Sequence, residues 1–326
     1  MATDGVTDVA DVAADGVTDV ADGVLVSTET LRPTDNSLVI SVTSVTKSAA
    51  TSVTKSAAIP LIQTMKIATW NVNSIRTRQE QVVNWLNHNP VDVLCLQETK
   101  VIDENFPRSP FESLGYNLYI YGQKSYNGVA IFSLKPLEQV IMGFAPVLTI
   151  EQVGNVDEQK RVITGVVDNI RIVNLYVPNG SEVGSDKYEY KLSWLKLLKD
   201  YLRSLLEKPP YNLCVCGDFN IALEDRDIYN PKNKTNHIMA SPAERQALQD
   251  ILDLGLADAF RKFISEGGHF TWWDYRQGGF TRNRGWRIDH HYLTPQLYEQ
   301  ATNCIIDISP RELDKPSDHT PVIVEF

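Results

Sequence analysis

Residues 162–177 read VITGVVDNIRIVNLYV, and they contain two apolar runs of strand length separated by only a few residues. That separation is enough for a hairpin turn but too short for the helical crossover that joins neighbouring parallel strands. The stretch therefore predicts antiparallel pairing within a sheet. It disfavours the alternative fold, which is a single parallel sheet.

Further apolar runs of strand length lie on both sides of this stretch, and several alternate in period two. They are 66–70, 91–96, 128–132, 212–217, 303–308 and 321–326. Leucines recur at three- and four-residue spacing across 187–207, which predicts a helix, and Ser241 with Pro242 and Glu244 has the capping-box pattern of another helix start. Strands outnumber helices. We therefore predict an α/β fold of two packed mixed sheets with flanking helices, forming one domain over residues 65–326.

Residues 1–64 differ in composition from the rest of the chain, because they contain no Trp, Phe, Tyr or Cys and include short repeats such as DGVTDVAD. A segment without large apolar side chains buries too little surface to offset the entropy lost on ordering. We expect a disordered, low-complexity N-terminal extension, with Met65 as an alternative translation start. Its eight acidic and three basic residues argue against a transit peptide, and no stretch predicts a secretion signal or a membrane span. A cytoplasmic protein is the resulting expectation.

The cysteines all lie inside apolar runs, which predicts buried, reduced thiols in the core: Cys95, Cys214, Cys216 and Cys304. A structural zinc site would require two or more spaced cysteine pairs, and the sequence has none. The consecutive His290 and His291 should point to opposite faces of a strand, and we expect structural or rim roles for them rather than metal ligation. The remaining histidines are predicted to be surface or loop residues: His88, His237 and His269.

Polar side chains follow several predicted strands, at the point where each strand stops. They are Asn71, Glu98, Tyr176, Asp218, Asn220, Asp289, Asp318 and His319. Strand ends on one edge of a sheet converge in space, so these side chains can build one cleft. Taken singly, each of them could equally be a residue that caps a strand or a turn. An oxygen-rich set with few nitrogens suits Mg²⁺ or Mn²⁺ rather than zinc, which favours phosphate chemistry. Bound cations would also reconcile the net charge of −10 with an anionic substrate.

Six segments carry a clear family resemblance. They are ATWNVNSIR at 68–76, LQETK at 96–100, LYVPNG at 175–180, CGDFN at 216–220, GWRID at 285–289 and KPSDH at 315–319. In this order they resemble the motif set of the exonuclease III and abasic-site endonuclease family. The resemblance covers Lys66 to the C-terminus and implies a four-layered α-β-β-α sandwich. It also implies a DNA-repair phosphodiesterase that cleaves 5′ to abasic sites, removes nucleotides or blocking groups from 3′ ends, or does both.

The same resemblance implies roles for the polar residues. Glu98 and Asp318 would be metal ligands with Asn71 nearby, while Asp218 and Asn220 would hold the attacking water or a second metal. Asp289 would orient His319, which is a phosphate ligand and a further metal candidate, and Tyr176 would assist at a phosphate or leaving oxygen. Either Asp218 or His319 is the base; we favour Asp218. The number of metal ions stays open.

Residues 269–286 interleave aromatic side chains with arginines immediately before Asp289. A purely structural interpretation is an aromatic core cluster beside a solvated arginine loop. By resemblance, Trp272, Trp286 and Ile288 would instead shape a pocket for a flipped-out abasic sugar. Candidate phosphate contacts, in or near matched motifs, are Arg76, Lys100, Tyr126, Asn179, Asn230, Lys232 and Asn233.

The expected partner is double-stranded DNA with abasic sites or 3′ ends, bound by a monomer that is nucleoid-associated when it acts. Ser181-Glu182 stands where some abasic endonucleases place an arginine, which leaves the balance of endonuclease and exonuclease activity open. One alternative is a related phosphodiesterase that acts on RNA or phosphoinositides. Another is a catalytically silent nucleic-acid-binding relative, although none of the expected polar residues is missing.

Overall fold

The structure is a computed structural model that describes residues 64–233 and 236–326. The disordered extension predicted for residues 1–64 falls, apart from Thr64, outside the described residues, so it stays a prediction. Within the described part of the chain, no helix combines the length and apolar character needed to cross a bilayer.

Every strand and helix predicted from the sequence has a counterpart within a few residues. The strands are β1 Lys66–Asn71, β2 Val93–Gln97, β3 Asn117–Tyr121, β4 Val129–Ser133, β5 Glu138–Met142, β6 Val162–Val167, β7 Ile170–Tyr176, β8 Asn212–Asp218, β9 Ala257–Asp258, β10 Asp289–Leu293, β11 Asn303–Ile306 and β12 Val322–Glu325. The helices are α1 Ile75–His88, α2 Ser109–Glu112, α3 Ile150–Val153, α4 Asp186–Leu206, α5 Pro242–Leu252, α6 Ala259–Phe263 and α7 Pro295–Gln300.

The strands form two six-stranded sheets, with the orders β11-β12-β1-β2-β4-β3 and β5-β6-β7-β8-β10-β9. Each sheet is mixed, because β1–β2 and β7–β8 are parallel while the other pairs are antiparallel. The prediction of two mixed sheets is therefore confirmed.

The hairpin predicted at 162–177 is also confirmed. Strands β6 and β7 pair antiparallel with Val167 opposite Ile170, so Asp168 and Asn169 form a two-residue turn. Their φ angles of 46° and 62° are left-handed, as a tight turn matched to the twist of the strands requires.

The sheets pack face to face, and helices cover both outer faces. The core between the sheets contains Ile67 and Cys95 from the first sheet and Ile172 and Cys214 from the second. Helix α1 packs on the outer face of the first sheet, where Trp70 and Trp85 make an edge-to-face contact at 5.7 Å between ring centroids. Helices α4 and α5 cover the second sheet. The four layers are thus helix, sheet, sheet and helix, as the sequence implied.

Strand register brings the candidate residues to one edge of this sandwich. Asn71 at the end of β1 lies opposite Gln97 at the end of the parallel strand β2. In the other sheet, Asp218 lies opposite Tyr176 on one side and Asp289 on the other. Because two parallel pairs end on the same side, the strand ends of both sheets open into a single cleft.

Candidate active site

Asn71 joins the two sheets at the bottom of the cleft. Its side-chain amide is fully buried and donates hydrogen bonds to Glu98 Oε1 and to Asp218 Oδ2, both at 2.9 Å. One carboxamide therefore holds two carboxylates from different sheets close together. The sequence placed these three residues in one site, and the structure brings all three together.

Glu98 is an anionic group directed into the cleft. Its second oxygen lies 2.7 Å from the ammonium of Lys100, which also donates to Asn73 Oδ1 at 2.6 Å. Burial acts to raise the pKa of Glu98, but Lys100 and the Asn71 hydrogen bond outweigh it and the pKa is lowered. The carboxylate is thus kept charged beside a cation.

His319 is held between two carboxylates. Its Nδ1 lies 2.9 Å from Asp289 Oδ2, and its Nε2 lies 3.7 Å from Asp218 Oδ2. Burial alone would lower the pKa of His319, but Asp289 and Asp218 outweigh burial and raise it to about 10. A protonated imidazole has no lone pair for a metal, so this arrangement favours a phosphate-binding role over the metal ligation also considered for His319.

Asp218 is buried in the same group. Burial and the nearby Asp289 raise the pKa of Asp218 to about 7, against the opposing effect of His319. Its Oδ1 accepts the backbone N–H of Asn220 at 2.9 Å, and the Asn220 side chain in turn accepts a hydrogen bond from Asn179 at 2.9 Å. A carboxylate with such a pKa is suited to accept a proton near neutral pH.

Gly217 allows β8 to approach β7 at this point. A Cβ atom there would lie 2.0 Å from the carbonyl oxygen of Leu175, and the φ of Gly217 is 142°. The glycine of the CGDFN motif thus permits the close strand contact that positions Asp218.

Asp318 lies to one side of the carboxylate group. Its Oδ1 accepts from Asn73 at 2.9 Å and its Oδ2 accepts from the indole of Trp272 at 3.0 Å. Burial acts to raise the pKa of Asp318, but His319 and these hydrogen bonds outweigh it and the pKa is lowered. Asp318 is ionised, yet both its oxygens already have partners.

The donor set fits a hard divalent cation. Carboxylate oxygens of Glu98 and Asp218 lie within 4.8 Å of each other and of a His319 ring nitrogen, and the Asn71 amide donates to both carboxylates. Carboxylate oxygens are ligands preferred by Mg²⁺ and Mn²⁺, whereas the protonated His319 ring and the Asn71 N–H groups offer no lone pair to a metal. Asp318, which the sequence assigned to the metal together with Glu98, is not part of this closest group.

Tyr176 completes the cleft as a hydrogen-bond donor. Its hydroxyl hydrogen-bonds to Glu98, and the guanidinium of Arg161 lies over its ring at 4.5 Å from the centroid. Burial first and Glu98 second raise the pKa of Tyr176 well above its usual value. The phenol therefore keeps its proton at neutral pH and can act as a donor.

A cavity of about 760 Å³ adjoins Asp318. Trp272, Trp286, Asn179 and Asn230 line it, as the sequence placed them in the substrate site. Ile288 packs behind Trp286 in a buried apolar cluster.

His237, interpreted from the sequence as a surface or loop residue, is exposed and lies against the Trp286 ring at 5.2 Å between centroids. It is therefore a wall of the cavity, along with Tyr229 and Arg284. Nothing in its local sequence signalled this contact.

Other candidate phosphate contacts are dispersed. Lys100 lies at Glu98, whereas Arg76 lines a separate groove with Gln81 and Lys315. Tyr126 is 70% exposed. Lys232 is exposed, and the side chain of Asn233 falls outside the described part of the structure.

Two supports of the site were missed in the sequence. Asn73 bridges Lys100 and Asp318, and its place inside the ATWNVNSIR motif was the available signal. Thr271 Oγ1 accepts the backbone N–H groups of Ile288 and Asp289 at 3.0 and 3.1 Å, which holds the start of β10.

Arg287 anchors the same strand from inside the protein. It is 1% exposed and donates to Asp227 and to Asp258, both at 2.7 Å, while Arg261 also contacts Asp227. Burial would raise the pKa of Asp227, but Arg287 lowers it to about 2. In the sequence, Arg287 stands between Trp286 and Ile288, just before Asp289. A charged residue in this apolar setting was the signal for the network.

The predictions for the cysteines and the other histidines are confirmed as far as exposure is concerned. All four cysteines are buried and unpaired, and His88 and His269 are exposed. His290 is buried and bonded to Arg287 and to the Ile221 carbonyl, which gives it a structural role.

Several known proteins are similar to this chain in sequence and in fold. The sequence model of the Endonuclease/Exonuclease/phosphatase family matches residues 68–319. An exodeoxyribonuclease of Bacillus subtilis is 34% identical over 261 residues, which cover 79% of this chain and 98% of that protein. Among solved structures, the 3′ phosphatase NExo from Neisseria bound to product DNA hairpin has a TM-score of 0.76 and 40% identity, covering 80% of this chain and 99% of that one. An AP endonuclease from Archaeoglobus fulgidus has a TM-score of 0.74 and 39% identity, covering 80% and 98%.

Proposed function

The chain belongs to the Endonuclease/Exonuclease/phosphatase family, and from this premise we propose that it is a metal-dependent DNA-repair phosphodiesterase. It would hydrolyse DNA 5′ to abasic sites, or remove nucleotides and blocking groups from 3′ ends, or do both. The observation that carries the proposal is the convergence of Glu98, Asp218 and His319 beside a cavity walled by Trp272 and Trp286. The carboxylates suit phosphate hydrolysis, and the aromatic cavity suits a nucleotide turned out of a duplex.

Mg²⁺ is the proposed cofactor, and Mn²⁺ is the second choice. Glu98 would hold it, supported by the hydrogen bond from Asn71, and Asp318 would contribute once its hydrogen bonds with Asn73 and Trp272 rearrange. When bound, the ion supplies positive charge to the phosphate oxygens and lowers the pKa of its water. Lys100, which neutralises Glu98 at 2.7 Å, would give up that contact.

Asp218 is the proposed base. Its pKa of about 7 and its fixed hydrogen bond from the Asn220 N–H suit the removal of a proton from an attacking water. The water oxygen then bonds to phosphorus as the bond to the departing oxygen breaks. Asn220 and Asn179 would orient the water or the phosphate, since their amides are linked at 2.9 Å.

His319 and Tyr176 are the proposed donors to the phosphate. Asp289 fixes the orientation of the imidazolium through Nδ1, which leaves Nε2–H directed toward the cleft. The Tyr176 hydroxyl would donate to a phosphate or leaving oxygen. Donors held in place before the reaction stabilise the charge that develops in the transition state.

The deciding test uses three labelled DNA duplexes: one with a single abasic site, one with a recessed 3′ end and one with a 3′ phosphate. Each is incubated with the full chain and Mg²⁺ or a chelator, alongside Asp218→Asn and the exposed control His88→Ala. We expect metal-dependent turnover of at least one substrate by the wild type and by His88→Ala only. Absence of turnover on all three, or turnover of an RNA substrate in their place, would overturn the proposal.

We further propose that the protein acts as a monomer in the cytoplasm, at the nucleoid. Sedimentation of the purified chain with and without duplex DNA tests the first part. A second protomer in either condition would contradict it.

A further inference from the structure

A group of sulfur and imidazole side chains lies between the two sheets, away from the candidate active site. Cys214 and Cys216 are two residues apart on β8, and His291 on β10 lies directly opposite Cys216. Residues two apart on a strand, and directly opposed residues on neighbouring strands, share a face of the sheet. All three side chains therefore face the same side of this sheet, and they are at most 1% exposed.

The three ligand atoms are already close together. The two sulfur atoms and a ring nitrogen of His291 lie within 4.8 Å of one another. In a tetrahedral zinc site with Zn–S bonds of 2.3 Å, neighbouring sulfurs are about 3.8 Å apart. Small rotations about the Cα–Cβ bonds would bring the two sulfur atoms to this separation.

The His291 ring nitrogens lack a well-formed hydrogen bond. Neither nitrogen makes a hydrogen bond of normal geometry to a described residue, although the Ile67 carbonyl lies near the ring. A buried imidazole normally has a hydrogen-bond partner or a metal.

A third thiol approaches from the opposite sheet. Cys95 on β2 hydrogen-bonds to the Cys216 thiol, so sulfur atoms from both sheets meet at this point. Cys304 is also buried in the core between the sheets. Neither Cys95 nor Cys304 has its sulfur among the ligand atoms that lie within 4.8 Å of one another, but of these two only Cys95 hydrogen-bonds to Cys216.

We propose that Cys214, Cys216 and His291 form a buried structural site for zinc between the two sheets, with Cys95 at the fourth position. This reverses the expectation from the sequence, which took the cysteines as plain core thiols because CVC lacks the spacing of familiar zinc motifs. The structure supplies the missing ligand through strand pairing, since His291 is 75 positions from Cys216 in the sequence and adjacent to it in space.

The ligand set keeps the charge of the buried site small. Zn²⁺ with three thiolates and a neutral imidazole has a net charge of −1, and three cysteines with one histidine are a ligand set of structural zinc sites. Binding would release one proton from each of Cys95, Cys214 and Cys216 and form three Zn–S bonds and one Zn–N bond. Sulfur ligands favour zinc over Mg²⁺, so this site and the oxygen-rich active site select different ions.

The experiment loads the full chain with cobalt, a spectroscopic substitute for zinc, during expression. Thiolate ligation to Co²⁺ gives a near-ultraviolet sulfur-to-cobalt charge-transfer band that oxygen ligands do not give. We expect about one zinc or cobalt per chain by elemental analysis, together with this band. The double variant Cys214→Ser/Cys216→Ser should lose the band, and its metal content per chain should fall at least about tenfold.

Two controls separate this site from the others. Cys304→Ser removes a buried thiol outside the group and should keep the band, and Glu98→Gln alters the active site and should keep it as well. A soluble wild-type chain that carries no zinc or cobalt, or that carries cobalt without the charge-transfer band, would overturn the proposal. That outcome is decided on the wild type alone, so it stands even where the double variant does not fold.

Discussion

Breaking the buried ion pair of Lys191 and Glu244 should destabilise the protein and slow the enzyme together. Both side chains have 0% exposure, and the Lys191 ammonium lies 2.5 Å from Glu244 Oε1. It also donates to the carbonyl of Asn220 at 2.8 Å and to that of Asn179 at 3.2 Å. The pair therefore ties helices α4 and α5 to the two loops that carry active-site amides.

The magnitude follows from what each change leaves behind. Burial lowers the pKa of Lys191 despite the attraction of Glu244, so desolvation outweighs the ion pair. The intact pair thus adds little net stability, whereas Lys191→Met leaves a buried carboxylate without its counter-ion and two backbone carbonyls without their donor. We expect a loss of about 3–5 kcal/mol in the free energy of unfolding for Lys191→Met. The double variant Lys191→Met/Glu244→Gln should recover about 2 kcal/mol of it.

The assay is urea unfolding of the full chain followed by tryptophan fluorescence, with turnover measured in parallel. The matched control is Lys199→Met on the same helix, because the Lys199–Asp250 contact at 3.5 Å is partly exposed and should contribute less than about 1 kcal/mol. A shift of Asn220 by about 1 Å in Lys191→Met would lower kcat by about 10²-fold. Equal losses of unfolding free energy in Lys191→Met and Lys199→Met would contradict this prediction.

Four further predictions concern the site and the N-terminus. Asp218→Ala should slow turnover by about 10²–10⁴-fold because the base is lost, and near-normal turnover would remove Asp218 from that role. Asp289→Asn should move the alkaline limb of the pH–rate profile to lower pH, because the His319 pKa of about 10 depends on Asp289 and activity requires the protonated ring. An unchanged limb would show that it does not report the deprotonation of His319. Glu98→Gln should raise the Mg²⁺ concentration for half-maximal activity by about 10-fold or more, measured by metal titration, and an unchanged requirement would exclude Glu98 as a ligand. A chain that starts at Met65 should keep full turnover and the same unfolding midpoint, and loss of either would assign a role to residues 1–64.

The elements of the fold were predictable because they depend on local pattern. The DN turn between two apolar runs, the leucine spacing of α4 and the Ser241–Glu244 capping box each act within a few residues of backbone. The capping box is present, with the Ser241 N–H donating to Glu244 at 3.0 Å. The short connection at 168–169 disfavoured a single parallel sheet, since no helical crossover fits there.

Much of the candidate site was predictable for a related reason. Polar residues directly after apolar strands reach one edge wherever those strands run in parallel, so Asn71, Glu98 and Asp218 could be grouped in advance. The sequence could not show that Asp318 is engaged by Asn73 and Trp272, or that Arg76 lies in another groove. Those outcomes depend on loop geometry.

The strands, the helices and the chemical types at the strand ends could be read from the amino-acid sequence. Which distant side chains meet depends on the three-dimensional packing: His291 meets Cys216, Lys191 meets Glu244 and Arg287 meets Asp227. Period and capping are properties of neighbouring residues, whereas strand register and helix packing are set by how whole surfaces fit together. A shift of one residue in the pairing of β8 with β10 would turn His291 away from the cysteines without altering the sequence pattern of either strand.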